Sequence, residues 1–297
     1  MKVLLLGKSG QVGWELQRSL ASVGVVTALG HAEADLAQPA SLRPLVRAHR
    51  PDVIVNAAAY TAVDRAESDP ETAMRVNGEA VGVLGECAAD LGALFVHYST
   101  DYVFDGLGSR PWREDDAVSP LNAYGRSKLE GERALAHAGC RHVVFRTSWV
   151  YAARGHNFVR TMLRLAGERE SLRVVSDQFG VPTPAALLAD VTARVIERCA
   201  ADREALSGIF HLCPRGETTW HGVAVATLQA ALDAGASLRC TPEDVISVTT
   251  DEFPTPARRP SNSRLSVERI ERALGMQLPE WYEPLPAVVA ALVKGAA

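Results

Sequence analysis

The first thirteen residues, Met1-Lys-Val-Leu-Leu-Leu-Gly-Lys-Ser-Gly-Gln-Val-Gly13, decide the fold. The apolar run over residues 3–6 predicts a buried strand, and Gly7, Gly10 and Gly13 follow it where a helix over residues 11–22 is predicted. Glycines at a strand-to-helix turn let main-chain amides approach a pyrophosphate at the positive end of the helix. We therefore predict a dinucleotide-binding turn that also includes Gln11 and Val12. The alternative is a tight turn that binds nothing.

The same alternation of strand and helix continues to about residue 148. Predicted strands over residues 25–29, 53–56, 94–99 and 143–147 are separated by predicted helices over residues 41–49, 71–91 and 124–136. This order predicts an α/β fold, a Rossmann-type doubly wound parallel sheet with helices on both faces. Ligands of such sheets bind in the crevice at the carboxyl ends of the strands.

The second half of the chain has a less regular pattern. Helices are predicted over residues 158–167, 185–200, 222–234 and 267–274, and short strands over residues 172–175 and 209–212. Proline-rich turns, among them Pro284 and Pro286, are predicted between elements. We expect residues 1–150 to form an NAD(P)-binding domain. Residues 151–297 should form mainly a smaller substrate-binding lobe, with some segments returning to the first domain.

Composition excludes several classes of function. The net charge of −4 gives no electrostatic case for nucleic acid, and no segment has the uncharged length of a membrane span. Five scattered cysteines without a Cys-x-x-Cys pair favour reduced thiols over disulfides or zinc. We expect a soluble, cytoplasmic protein that binds a small molecule, with no nucleic-acid or membrane partner.

A set of proton-transfer groups is predicted at the cleft. Thr100 ends the fourth strand, and Tyr124 and Lys128 are four residues apart, which places them on one face of a helix. Thr100 would hydrogen-bond a substrate carbonyl, and Tyr124 would donate a proton to it as hydride arrives at the carbon. Lys128 would bind the nicotinamide ribose and lower the pKa of Tyr124. The alternative is a strand end beside an unrelated surface pair.

The second strand ends in Gly30-His31 rather than in the acidic residue that normally binds the adenosine ribose of NAD. We therefore expect NADPH to be accepted at least as well as NADH, with Lys8 or His31 near the phosphate. Asp35 and Leu36 follow, where a carboxylate and an apolar side chain could meet the adenine ring. After the third strand, the small residues Ala57, Ala58 and Ala59 would let a cofactor lie against the strand end.

Seven runs together resemble a known family, and they span residues 7–13, 50–59, 98–104, 119–128, 145–151, 177–183 and 259–265. The chain resembles the extended short-chain dehydrogenase/reductase family and, more narrowly, its dTDP-4-dehydrorhamnose reductase branch. The runs Arg146-Thr-Ser-Trp-Val-Tyr151 and Arg259-Pro-Ser-Asn-Ser-Arg-Leu265 are the more specific to that branch. The resemblance implies reduction of the C4 ketone of dTDP-4-dehydro-L-rhamnose to dTDP-L-rhamnose, with hydride from NADPH or NADH. The product would feed polysaccharide biosynthesis.

The resemblance also implies roles for individual residues. Thr100, Tyr124 and Lys128 would carry the chemistry, and Tyr124 and Lys128 would contact the cofactor together with Tyr60 and Tyr98. The substrate-binding residues would be Thr100, Asp101, Tyr102 and Trp149, with Arg264 a candidate for the diphosphate.

The sequence allows alternatives for the binding of Mg²⁺ and for the function. Some members of the family form a dimer through Mg²⁺ held by glutamates. Here Glu15 is retained, but Ala186 stands where a further acidic ligand is expected, so the case for Mg²⁺ is incomplete. The chain is expected to be a monomer or a homodimer. The alternatives are another nucleotide-sugar 4-ketoreductase or epimerase, and a non-catalytic regulatory subunit that binds NADP.

Overall fold

The computed structural model describes residues 1–203 and 205–295. Six strands form one parallel sheet in the order β10-β5-β4-β3-β1-β2. These strands are β1 (Lys2–Leu6), β2 (Val25–Leu29), β3 (Val53–Asn56), β4 (Leu94–Thr100), β5 (Arg141–Thr147) and β10 (Gly208–His211). Shorter strands pair outside the sheet: β6 (Val150–Tyr151), β7 (Leu172–Val175), β8 (Phe179–Gly180), β9 (Thr183–Pro184), β11 (Thr218–Thr219) and β12 (Val245–Val248).

The described helices surround the sheet and continue into the second half of the chain. They are α1 (Gln11–Ser19), α2 (Pro39–His49), α3 (Val63–Ser68), α4 (Pro70–Met74), α5 (Ala80–Leu91), α6 (Ala123–Ala138), α7 (Phe158–Glu168), α8 (Ala185–Ala201), α9 (Trp220–Asp233), α10 (Glu268–Leu274) and α11 (Leu285–Gly295). A π-helical turn, Arg75–Glu79, joins α4 to α5.

Helices cover both faces of the sheet, which explains the unbroken apolar run that begins the chain. Leu4, Leu5 and Leu6 are all completely buried, although successive side chains of a strand point to opposite faces. Leu5 packs into a cluster that contains α1 and α8 side chains, and Leu4 and Leu6 pack into one with α2 and α5 side chains. The predicted α/β Rossmann-type sheet is confirmed.

Two segments of the second half belong to the core of the sheet. Strand β10 pairs in parallel with β5, and α8 packs beside α1 on one face. The remaining second-half elements pack mainly on one another: α9 lies against α7, α11 and the β7–β12 pair. The chain therefore leaves the sheet after β5, returns to it, and leaves it again.

Most predicted elements form close to their expected bounds, with one clear error. Pro284 lies in the bend before the last helix, as predicted, but Pro286 does not lie in a turn, because α11 begins at Leu285 and contains Pro286 in its first turn. A proline is tolerated there because the first amides of a helix have no partner within the helix. The predicted helix over residues 71–91 is also interrupted by the π-helical turn.

Two expectations from composition concern membranes and cysteines. Within residues 1–203 and 205–295, no helix combines the length and the apolar character that crossing a bilayer requires. All five cysteines are buried and form no disulfide.

A buried ion pair fixes α6 against the sheet. The Arg146 guanidinium on β5 donates two hydrogen bonds to the Glu132 carboxylate on α6, at 2.9 and 2.6 Å. The Ser99 hydroxyl on β4 donates to the same carboxylate at 2.5 Å. Both charged side chains are only 3% exposed, so removal of either partner leaves a charge buried without compensation.

We expect Glu132→Ala to lower the free energy of unfolding by about 3–5 kcal/mol, because it strands the Arg146 guanidinium in the core. Denaturant unfolding monitored by circular dichroism measures the change. Glu130→Ala is the matched control, since Glu130 lies on the same helix with its side chain 48% exposed. Equal, small effects of the two substitutions would contradict the structural role of the buried pair.

Candidate active site

The glycine turn after β1 is held against the ends of β2 and β3. Gly7 has a φ of +86°, a conformation that side chains disfavour, and its amide donates to the Leu29 carbonyl at 2.9 Å. A Cβ on Gly7 would lie 2.7 Å from the Ala58 nitrogen, and one on Gly13 would lie 2.0 Å from the Gly7 carbonyl oxygen. Only glycine fits these two positions. The turn therefore leaves open the space at the start of α1 that a pyrophosphate needs.

The end of β3 presents main chain rather than bulky side chains to this turn. Asn56 accepts a hydrogen bond from the Ala58 amide at 3.1 Å, which shapes the Ala57–Ala59 segment. Beyond it, the Tyr60 amide and carbonyl both bond the side chain of Asn77, at 2.9 and 3.0 Å. Asn77 lies in the π-helical turn, a feature that often marks functional sites.

The end of β2 departs from the expectation that no carboxylate lies there. The chain turns back after Gly30, and the Glu33 carboxylate accepts the Gly30 amide at 2.8 Å and pairs with Lys8. His31 is 84% exposed and lies 3.6 Å from Asp35. The sequence interpretation considered only the residues directly after the strand, whereas a turn of three residues restores an acidic group at this edge.

Three residues predicted to bind the cofactor have other contacts in the structure. Leu36 is 3% exposed and packs in the core cluster with Leu4. Asp35 accepts the Ala37 amide at 2.9 Å. The Tyr98 hydroxyl lies 2.7 Å from that of Thr192 on α8, so Tyr98 links the sheet to that helix.

Thr100, Asp101 and Tyr124 meet at the carboxyl end of β4. The Thr100 hydroxyl donates to Asp101 at 3.0 Å and accepts the Tyr102 amide at 3.2 Å. The other Asp101 carboxylate oxygen, Oδ2, is buried without a partner among the described residues. Burial raises the pKa of Asp101 to about 7, although the hydroxyls of Ser263 and Thr100 oppose the shift.

The electrostatics of Tyr124 differ from the sequence expectation. Burial and then the charge of Asp101 raise the pKa of Tyr124, and the Thr100 hydroxyl opposes them. The Lys128 ammonium instead contacts the ring of His97, at 3.1 Å. The expectation that Lys128 lowers the pKa of Tyr124 is therefore wrong for this arrangement, in which the phenol keeps its proton.

Lys128 is one of the largest fully buried side chains among the described residues, with 1% exposure. Burial lowers its pKa to about 8, while Glu132, one turn later on α6, acts in the opposite direction. An ammonium with so few neutralising partners is unusual for a structural lysine. Perturbed groups of this kind concentrate at functional sites.

A pair of stacked indoles forms one wall beside this centre. Trp149 has a φ of +47°, a strained conformation for a large residue, and its ring stacks on Trp220 with a centroid separation of 3.8 Å. Gly180 permits this position, because a Cβ there would lie 2.6 Å from the Trp149 ring. Trp220 was not predicted, since 71 residues separate it from Trp149 and only the folded chain pairs them.

Arg259 is a second residue that the sequence interpretation left without a role. Its guanidinium donates to the Tyr102 hydroxyl at 3.4 Å and to Asp64 at 2.7 Å. The Tyr102 ring in turn meets the Tyr124 ring edge to face, with centroids 5.8 Å apart. Arg259 is therefore linked to the proposed proton donor through the Tyr102 ring.

Arg264, the predicted diphosphate ligand, already has protein partners. It donates to the Glu217 carboxylate and to Asn262, and its guanidinium lies 4.3 Å above the Phe179 ring. Its side chain is 8% exposed, whereas that of Glu217 is 52% exposed. An incoming anion would have to displace Glu217 to reach the guanidinium.

The residues considered for magnesium do not assemble a ligand set. Arg18 lies between the two acidic residues nearest the proposed position, 3.9 Å from Glu15 and 3.1 Å from Asp190. Among residues 1–203 and 205–295, no three His, Cys, Asp or Glu side chains group as metal ligands would.

The arrangement can transfer a proton next to a bound dinucleotide. A hydroxyl and a protonated phenol meet at the carboxyl end of β4, and a buried ammonium lies one helical turn beyond the phenol. The glycine turn lies two strands away at the same edge. A ketone placed between Thr100 and Tyr124 would meet a hydrogen-bond donor and an acid.

Comparison with known proteins agrees with this geometry. The model of the family described as RmlD substrate binding domain matches residues 1–294. The dTDP-4-dehydrorhamnose reductase of Salmonella typhimurium is 52% identical over 285 residues, 95% of this chain and 94% of the relative.

Two solved structures are similar along almost their whole length. The dTDP-4-dehydrorhamnose reductase of Clostridium acetobutylicum is 33% identical, with a TM-score of 0.88, covering 98% of this chain and 99% of that one. The one from Bacillus anthracis, solved in complex with NADP, is 31% identical with a TM-score of 0.87, and the two chains are covered to 97% and 98%.

We expect Gly13→Ala to weaken NADPH binding by at least about tenfold, or about 1.4 kcal/mol, because the new methyl group would displace the Gly7 carbonyl. Fluorescence titration with NADPH measures the affinity. Gly167→Ala is the control, since a Cβ at that helical glycine meets no atom within 4 Å. Matching affinities for the two variants would remove the glycine turn from the cofactor site.

Proposed function

The chain belongs to the RmlD substrate binding domain family, and we propose that it reduces the C4 ketone of dTDP-4-dehydro-L-rhamnose to dTDP-L-rhamnose. It is an NAD(P)H-dependent oxidoreductase of dTDP-rhamnose and polysaccharide biosynthesis. The observation that carries this function is the contact of Tyr124 with Thr100, one helical turn from the buried Lys128, at the sheet edge that also holds the glycine turn.

A bound nicotinamide supplies the hydride for this reduction. Tyr124 is the proposed acid: its raised pKa keeps the phenol protonated near neutral pH, ready to donate to O4 of the sugar. Thr100 would orient O4 by a hydrogen bond if its hydroxyl proton turned from Asp101 to the ketone, while the hydroxyl oxygen still accepts the Tyr102 amide. Lys128 would hold the cofactor ribose.

The substrate would lie between the sheet edge and the second half of the chain. The stacked indoles of Trp149 and Trp220 offer a flat apolar surface that suits a 6-deoxy sugar. The unpartnered Oδ2 of Asp101 is positioned to bond a sugar hydroxyl. Arg259 and Arg264 are the proposed partners of the diphosphate. In this view residues 1–150 mainly bind the cofactor and residues 151–297 mainly bind the sugar nucleotide.

The deciding experiment follows NADPH oxidation by the purified chain. Turnover with dTDP-4-dehydro-L-rhamnose should exceed turnover with GDP- or UDP-linked 4-keto sugars. Tightly retained NAD⁺ with an epimerised product would instead identify an epimerase. NADPH binding without turnover of any keto sugar, together with co-purification of an enzyme partner, would favour a regulatory subunit.

The same assay addresses the metal and the assembly state. We propose that the activity does not require Mg²⁺, since the Arg18 guanidinium already lies beside Glu15 and Asp190. Activity should therefore persist in EDTA, and loss of activity that added Mg²⁺ restores would refute this. We propose a cytoplasmic monomer or homodimer, and size-exclusion chromatography with light scattering distinguishes these two states.

We expect Tyr124→Phe to lower kcat by about 10²–10⁴-fold while NADPH affinity stays within about twofold, because it removes the proton donor and little volume. Steady-state kinetics and fluorescence titration provide the two readouts. Tyr282→Phe is the control, since that ring is 55% exposed. Near-normal kcat in Tyr124→Phe would show that another group supplies the proton.

We propose that NADPH is used at least as well as NADH and that the Lys8–Glu33 pair sets this preference. A 2′-phosphate would be attracted by the Lys8 ammonium and repelled by the Glu33 carboxylate. Glu33→Gln should therefore raise the NADPH-to-NADH ratio of kcat/KM about fivefold, the equivalent of about 1 kcal/mol for an exposed charge pair. The control is Glu168→Gln, at an exposed glutamate on α7. An unchanged ratio in Glu33→Gln would place the phosphate elsewhere.

A further inference from the structure

Lys128 has an unusual partner beneath it in the sheet. Its Nζ lies 3.1 Å from Nε2 of His97, and both side chains are buried, with exposures of 1% and 0%. His97 is in the interior of β4, three residues before Thr100, and the proton-transfer set described above does not include it.

The contact continues to the cofactor edge of the sheet. His97 and Asn56 are register partners on the neighbouring strands β4 and β3, and Nδ1 of His97 lies 3.3 Å from Nδ2 of Asn56. Asn56 also accepts the Ala58 amide at 3.1 Å. A chain of buried polar contacts therefore runs from the Ala57–Ala59 segment through Asn56 and His97 to Lys128.

The environment keeps the imidazole of His97 neutral. Burial, then the Lys128 charge, hold its pKa well below the ordinary value, and the more distant His142 on β5 acts weakly in the same direction. A hydrogen bond to the Asn56 main chain opposes them. On the other side, Glu132 is the charged group that faces Lys128 from its own helix. A neutral ring can present Nε2 as an acceptor to an ammonium, which a protonated ring cannot.

We propose that His97 is a positioning residue for Lys128, with Nε2 accepting one ammonium N–H and directing the other two toward Tyr124 and the cofactor ribose. Nδ1 then carries the ring proton and donates a hydrogen bond to the Asn56 main-chain carbonyl. The 3.3 Å approach of Nδ1 to Asn56 Nδ2 is then a contact of two donors and not a hydrogen bond. A buried ammonium needs acceptors to remain charged, and the strand supplies this one from below. The direction given to the other two N–H groups rests on the function proposed above.

Two substitutions of similar volume distinguish a role of His97 as hydrogen-bond acceptor from a role in packing alone. His97→Gln keeps an amide acceptor, whereas His97→Met fills a similar volume without one. The chain contains four lysines, so ¹³Cε-lysine NMR gives few signals, and Lys128→Met assigns the signal of Lys128. We expect the pKa of Lys128 to fall by about one unit in His97→Met, because loss of an acceptor disfavours the charged form, and to stay near the wild-type value in His97→Gln.

Kinetics give a second readout on the same variants. If Lys128 must be charged, kcat falls as pH rises through its pKa, so the alkaline limb of the profile should move to lower pH by about one unit in His97→Met. In His97→Gln the alkaline limb should lie near its wild-type pH. His142→Gln is the control, since His142 lies on the adjacent strand and its ring contacts the Cys140 carbonyl at 2.9 Å rather than Lys128. We expect it to leave the limb unchanged.

The result that overturns the proposal is an unshifted Lys128 titration in a folded His97→Met. Should that variant fail to fold, ¹⁵N spectra of the wild-type histidine rings decide the question. The proposal requires an unprotonated Nε2 at a pH where Lys128 is charged, and a proton on Nε2 there refutes it. Both NMR readouts are independent of turnover, so an enzyme inactive on dTDP-4-dehydro-L-rhamnose would refute the proposed function and leave this test intact.

Discussion

The alternation of side chains along β4 is the constraint on which the site depends. His97 and Ser99 point to the face covered by α6, where they meet Lys128 and Glu132. Tyr98 points to the opposite face and bonds Thr192 on α8. Thr100 ends the strand with its hydroxyl at the open edge. A shift of one residue in register would exchange the two faces and separate each of these pairs.

The two buried charged side chains of α6 are both held by side chains of β4. Lys128 and Glu132 are four residues apart on one face of the helix, and each is held by a different side chain of the same strand. Arg146 on β5 fixes the carboxylate from the next strand. The position of the ammonium is therefore set by the sheet, the most rigid part of the fold, rather than by a loop.

Local patterns predicted the sheet and the proposed catalytic set, because strand runs, glycine turns and helical spacing act over a few residues. The bounds of β2 and β3 were predicted without error. Contacts between distant segments were not predictable in this way. The Trp149–Trp220 stack, the Arg259–Tyr102 contact and the Arg264–Glu217 pair each join residues that only folding brings together. Glu33 and His97 could have been identified from the sequence. A short turn places Glu33 at the end of β2, and the period of two along a strand places His97 on the face of β4 that α6 covers.

The strained backbone at Trp149 sets two selective pressures against each other. Its φ of +47° is one that glycine or asparagine adopts at much lower energy, so thermal stability alone would favour replacement of the tryptophan. Only a large aromatic ring can complete the stack with Trp220. A library screened for heat resistance would thus be expected to erode this position, whereas one screened on turnover would retain it. Trp149 should therefore be left unchanged when the enzyme is engineered for stability.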